Sequence, residues 1–302
     1  MAVSLYQIKK WTRKYILKTQ TGFRQGVGQI YSKDEVKGYY IDLREKVLEG
    51  QALAPEELPR SRMDSGETFI FSIGVMQYGL ACYDLYLMND DEKMKQKLLV
   101  CADWAVENQK ENGAWETFGH IYPEHSYSAM AQGEGVSMLL RAYIASGERK
   151  YLESAKRAVF FMLVPKQEGG VCHCTETDLV FYEYTERPAV LNGWIFALWG
   201  LFDYAKVTGD SVIQAAYEKT VDTLERYIPH YDLGYWTRYD YSDRIASPQY
   251  HKLHIDQFVT MYDLTGREIF KLYQEKFEKY RDSRWCRNKA FFIKAAQKLR
   301  GK

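Results

Sequence analysis

The chain has 302 residues, 46% hydrophobic and 27% charged, with a formal net charge of +1. This suits one or two folded domains with a sizeable core and argues against a dedicated nucleic-acid binder. No run of about 18 apolar residues offers a membrane span, and the first residues show no apolar signal-peptide core.

In chain order, residues 1–37 read as a basic helical extension. Lys9, Lys10, Arg13, Lys14 and Lys18 are interleaved with Trp11, Tyr15, Ile16 and Leu17. The plain reading is a solvated basic helix docked on the core; the rival is a peripheral contact with an anionic membrane. A repeat follows. Tyr83-Asp84, Ala142-Tyr143, Phe202-Asp203 and Tyr262-Asp263 each close an apolar helical run, about 60 residues apart. Each is followed by a turn, at Asn89-Asp90, Ser146-Gly147, Thr208-Gly209 and Thr265-Gly266. Second helices are expected over 93–109, 150–163, 211–227 and 270–280. The periodicity therefore predicts an all-α fold of four helical hairpins, with inner helices containing 76–87, 136–144, 194–204 and 258–262. A helix pair cannot bury its apolar face alone, so the pairs must stack. Residues 38–290 form one domain on this reading, and 291–302 a basic tail.

Three long loops, 116–127, 171–185 and 235–250, each precede an inner helix and are rich in Tyr, His and charge. They are expected to gather at one mouth, with room for short β-hairpins. Gln132-Gly133-Glu134-Gly135 lacks the strand and spacing of a phosphate loop. Cys172-His173-Cys174 has no second ligand pair at zinc-site spacing, so no metal or other cofactor is expected. The five cysteines have an odd count and no framework, which points to a reducing compartment. The 25 Tyr, 14 Phe and 7 Trp fill a helical core, and also suit the apolar faces and hydroxyls of sugars.

Tyr182-Glu183-Tyr184, Leu191-Asn192-Gly193, Tyr239-Asp240 and Tyr250-His251 with His254 are an inventory for proton transfer. Together with Gly38-Tyr39-Tyr40-Ile41-Asp42-Leu43-Arg44, Val75-Met76-Gln77-Tyr78-Gly79-Leu80, Cys101-Ala102-Asp103-Trp104 and Ser128-Ala129-Met130-Ala131-Gln132-Gly133-Glu134-Gly135, they resemble the D-glucuronyl C5-epimerase family, enzymes of heparosan-type chains. The resemblance runs from about residue 38 to about 285. It implies an (α/α) toroid with Glu183, Tyr184, Tyr239 and Tyr250 as catalytic or substrate-contacting residues. Thr185 stands where the family pattern has proline, Ser242 where it has a substrate-binding arginine, and Gln249 where it has aspartate. Animal members carry further N-terminal β-rich domains with no counterpart in these residues, so a short, bacterial-type member is expected.

The implied reaction removes a weakly acidic proton beside a carboxylate and returns it on the opposite ring face. That requires an acid/base on each face and cations or donors for the carboxylate. Tyrosine, with an ordinary pKa of about 10, needs a neighbouring cation to act as a base. Arg44, Arg187, Arg244, His251, His254 and Asn192 are candidates for carboxylate recognition, with Arg238 beside Arg244 as a stand-in for the absent arginine. Gln132 and Glu134 suit sugar hydroxyls. The expected partner is a uronic-acid-containing oligo- or polysaccharide or its lipid-linked precursor. The expected setting is cytoplasmic, at the inner membrane face, and a homodimer is an open possibility. A uronate lyase, a glycoside hydrolase and a non-catalytic glycan-binding protein are the rivals.

Overall fold

The computed structural model describes residues 24–50, 53–63, 66–120, 123 and 126–299. Residues 1–23 of the basic helix expected over 1–37, with the membrane contact assigned to it, lie outside them; over residues 24–37 the chain is not helical but strand, bend and coil. The described N-terminal stretch opens with strand β1 (Gly26–Val27) paired to β2 (Ile41–Asp42), then helix α1 (Glu45–Leu48). A second hairpin joins β3 (Ser61–Arg62) to β4 (Thr68–Phe69). Helices α2 (Ser72–Asn89), α3 (Glu92–Glu107), α4 (Ala129–Ser146) and α5 (Arg149–Met162) follow. A third hairpin pairs β5 (Cys172–Cys174) with β6 (Leu179–Phe181). The chain then forms α6 (Leu191–Thr208), α7 (Ser211–Tyr227), α8 (Pro248–Thr265), α9 (Glu268–Asp282) and α10 (Arg284–Leu299). The fold is all-α, with only these small hairpins as sheet. Among the described residues no helix is long and apolar enough to cross a membrane.

The four expected hairpins are α2/α3, α4/α5, α6/α7 and α8/α9. Each inner helix has 18 residues. The residue after it is left-handed: Asp90 (φ 53°), Gly147 (76°), Gly209 (70°) and Gly266 (67°). Asp210 caps the next outer helix, accepting from the amides of Val212 and Ile213, and Asp91 does the same for Lys93. The inner helices are buried almost all round, α4 continuously from Ala129 to Ala142 and α6 from Leu191 to Ala205. Helix α4 packs between α2 and α6, and α6 also meets α8. At the α4/α6 crossing a Cβ on Gly133 would lie 2.5 Å from Ala197 Cα. Gly133 thus serves close helix approach, while Gly135 makes room for the Trp115 ring.

The inner helices begin several residues earlier than their apolar periodicity suggests. The first turns of α4 and α6 carry buried polar or small residues, among them Gln132, Gly133, Glu134, Asn192 and Gly193, which dilute the pattern. At the opposite end the strand segment 37–42 ties all four together. Asp84, Arg141, Asp203 and Thr260 occupy the same position, five residues before each helix end. Tyr39 N–H donates to Asp84 (2.9 Å), and Tyr40 O–H to Asp203 Oδ1 (2.5 Å). Arg141 pairs with Asp203 Oδ2 (2.6 Å) and donates to the carbonyls of Lys37 and Gly38, while Thr260 donates to Tyr40 O. These groups are fully buried or nearly so, and the ion pair is satisfied on both sides. The segment therefore crosses from α8 to α2 and seals that end. The boundary expected at residue 290 falls inside α10.

Candidate active site

The other end, where the inner helices start, gathers the long loops. The segment after β6 that carries Glu183 is held to α4 by Ala129 N–H donating to Tyr182 O (2.9 Å). The 235–246 loop folds back on itself, Tyr239 N–H donating to Arg244 O (2.7 Å). It is then stitched to the start of α6 by Leu191 N–H to Tyr239 O (3.2 Å) and Tyr241 N–H to Ala189 O (2.8 Å). These two anchorages bring Glu183, Tyr184, Tyr239 and Tyr250 into one cluster. Tyr250, expected in a loop, lies in the first turn of α8, where Ser247 Oγ accepts from its amide.

Glu183 is 6% exposed. Burial pushes its carboxyl up to about 7, against the opposing pull of a hydrogen bond from Tyr184 and of Arg244 and Arg187. Its Oε2 has no hydrogen-bond partner among the described residues. Gly193 makes room for it: a Cβ there would sit 2.6 Å from Oε2. Tyr239 and Tyr250 pack with ring centroids 4.9 Å apart, and the Tyr250 hydroxyl is hydrogen-bonded to Tyr239. Burial, with Glu183 next in weight, raises all three tyrosines, Tyr250 to about 12. Tyr250 keeps 37% of its surface exposed, so the desolvation belongs to its hydroxyl side, against Tyr239.

Two arginines flank the cluster. Arg187 lies over the Tyr184 ring (5.1 Å) and Arg244 over the Tyr239 ring (5.1 Å). Arg244 also pairs with the buried Asp240 (3.0 Å), and Ser242 donates to the same carboxylate. Ser242 therefore braces Asp240 while Arg244 reaches the tyrosines. Arg238 instead bonds the His230 carbonyl and pairs with Asp243.

Deeper groups line the first turns of the inner helices. Glu134 is fully buried and accepts from Gln77 (2.8 Å); burial raises its carboxyl to about 8. Gln132, Glu134 Oε2, Asn192 Oδ1 and Gln257 Oε1 are buried polar atoms without a hydrogen-bond partner among the described residues. Gln257 Nε2 donates to Asn192 O (3.1 Å). Such a concentration of unmatched polar atoms is unusual in a core and makes these first turns a candidate place for a polar ligand.

Two of the expected residues go elsewhere. Arg44 is bidentate to Asp42 and reaches Met88, about 16 Å along α2 from Gln77 at the sealed end. His251 is fully buried, stacked on Trp236 at 3.7 Å, with both ring nitrogens engaged. Burial holds His251 and His254 neutral, His254 down to about 3, so neither supplies a cation. Sequence reasoning missed Gln77, Gln257 and Phe118, which stacks on Tyr184 at 4.3 Å. Gln257 was findable, since it lies seven residues after Tyr250 on the same helix face.

An all-α scaffold of paired helices, with a buried carboxyl, tyrosine and arginine cluster at one end, has the parts for acid–base chemistry on an anionic substrate. Residues 110–279 match the family described as D-glucuronyl C5-epimerase C-terminus, and the chain belongs to that family. It is 31% identical to a D-glucuronyl C5-epimerase of Caenorhabditis elegans over 193 residues, 54% of this chain and 31% of that protein. It is 30% identical to an uncharacterized protein of Methanocaldococcus jannaschii over 155 residues, 49% of this chain and 50% of that one. The chain thus spans half or less of these relatives' lengths.

Proposed function

We propose that the protein is a uronosyl C5-epimerase, converting D-glucuronate to L-iduronate residues within a polysaccharide or its lipid-linked precursor. The observation that carries this reading is Glu183: a buried carboxyl held near neutrality, in one cluster with three protonated tyrosines and two arginines. The tyrosines are raised in the resting protein, so Glu183 is the group able to accept a proton and the tyrosines are donors. Glu183 takes the C5 proton, and the C–H electron pair delocalises onto the sugar carboxylate between Arg187 and Arg244. Tyr250, backed by Tyr239, gives a proton to the other face of C5. The resulting tyrosinate beside Arg244 and the protonated Glu183 are reset by proton exchange. Glu134, protonated at neutral pH, together with Gln132 and Asn192, binds ring hydroxyls.

Incubating the protein with glucuronate-containing glycans in heavy water tests the reading. Deuterium at C5 with an intact chain supports it. A 4,5-unsaturated product absorbing in the ultraviolet assigns a lyase, and saturable binding without exchange assigns a glycan-binding protein. Vesicle binding by the purified chain tests the membrane setting.

A further inference from the structure

The loop before α8 and the first two turns of that helix hold His251, Thr237 and His254, whose hydrogen bonds fix one another's protons. His251 Nε2 lies 3.1 Å from the Phe277 carbonyl, which can only accept, so Nε2 carries a proton. This ring is fully buried with Arg281 as a charged neighbour, so it is neutral and its Nδ1 is a bare lone pair. That Nδ1 lies 3.0 Å from Thr237 Oγ1, which must donate its single proton there. Thr237 Oγ1 also lies 3.2 Å from His254 Nδ1 and, its proton spent, can only accept. The proton of His254 is thereby placed on Nδ1, and Nε2 is left as a lone pair. That nitrogen is buried, with no hydrogen-bond partner among the described residues.

Its place in the fold says what it serves. His254 lies one helical turn below Tyr250 on the same face of α8. The next turn of that face carries Gln257, which reaches across to Asn192 on α6. We propose that His254 is a substrate-binding residue that presents a fixed, uncharged acceptor to a hydroxyl of the sugar ring held beneath Tyr250. Thr237 and His251 are positioning residues that hold it in that tautomer. The ligand group must be a donor, the reverse of the carboxylate expected at this histidine from sequence. The identity of the sugar rests on the epimerase reading; the tautomer does not.

The test uses the full chain labelled with nitrogen-15 histidine. With six histidines, the His251 and His254 signals are assigned by single substitution. The resting protein should show an unprotonated Nε2 on His254 and a proton on Nδ1. A glucuronate-containing oligosaccharide should move the Nε2 resonance as the hydrogen bond forms. His254→Asn keeps an N–H toward Thr237 but removes the acceptor. It should raise KM and lower kcat/KM about tenfold, with kcat less affected, as expected for one lost hydrogen bond. His254→Gln returns an acceptor at the reach of Nε2 and should recover part of the loss. Thr237→Val should impair turnover and Thr237→Ser restore it. A proton on Nε2 at rest, or an unchanged KM in His254→Asn, overturns the proposal. A wild-type protein with the assigned tautomer and the ligand shift, but no C5 exchange, would overturn the epimerase reading alone.

Discussion

Replacing Glu183 by Gln should abolish turnover and at the same time stabilise the protein above neutral pH. The carboxyl is 6% exposed, and burial moves it from its ordinary 4.5 to about 7. Between those values the folded chain holds a proton that the unfolded chain has released, so stability falls as pH rises. At about 1.4 kcal/mol per pH unit the penalty reaches about 3 kcal/mol once Glu183 is ionised in both states. Gln keeps the shape and a carbonyl for the Tyr184 hydroxyl, but never ionises. The substituted protein should match the wild type near pH 4.5 and exceed it by up to about 3 kcal/mol at pH 8, or about 5–10 °C in Tm. Urea titrations of both proteins across pH 4.5 to 8.5 measure this, and a C5 exchange assay measures the loss, about 10²–10⁴-fold for a missing general base. Parallel stability curves for the two proteins would refute the reasoning, because Glu183 would then be ionised at ordinary cost.

Tyr184→Phe and Tyr250→Phe should each suppress C5 exchange while leaving glycan binding within a few-fold, as read by isothermal titration against the oligosaccharide. Gly193→Ala would place a methyl 2.6 Å from Glu183 Oε2, so exchange should collapse while the far-ultraviolet circular dichroism of α6 persists. Tyr40→Phe removes the hydroxyl from buried Asp203 at the sealed end. It should lower stability by about 2 kcal/mol in urea titration, with little change in KM. The wild-type kcat/KM should rise with pH through about 7 as Glu183 ionises, and Glu183→Asp should move that limb.

The helix ends were legible in the sequence because a glycine or Asn-Asp turn stops an apolar run, and all four stops fall where those residues stand. The helix starts were not, because Gln132, Glu134 and Asn192 are buried polar residues that interrupt the periodicity, and Tyr250 stands half-exposed at the start of α8. The same residues belong to the candidate site, so the pattern failed where the proposed chemistry lies. Chain neighbourhood also misled. His251 follows Tyr250 directly, but about 100° of helix rotation turns it outward onto Trp236 and Phe277. Arg44 belongs to a string that resembles the family, yet that string runs along the sealed end. Ser242 in the arginine position suggested a missing cation; only folding shows that Arg244, two residues on, lies over Tyr239 while Ser242 holds Asp240.

The most direct measurement is nuclear magnetic resonance of a glucuronate-containing polysaccharide incubated with the protein in heavy water. Proton transfer at both ring faces predicts deuterium at C5 of glucuronate and iduronate residues alike, no unsaturated product, and no exchange with Glu183→Gln. An unlabelled C5 across glucuronate-bearing glycans, or exchange that survives Glu183→Gln undiminished, would contradict the account.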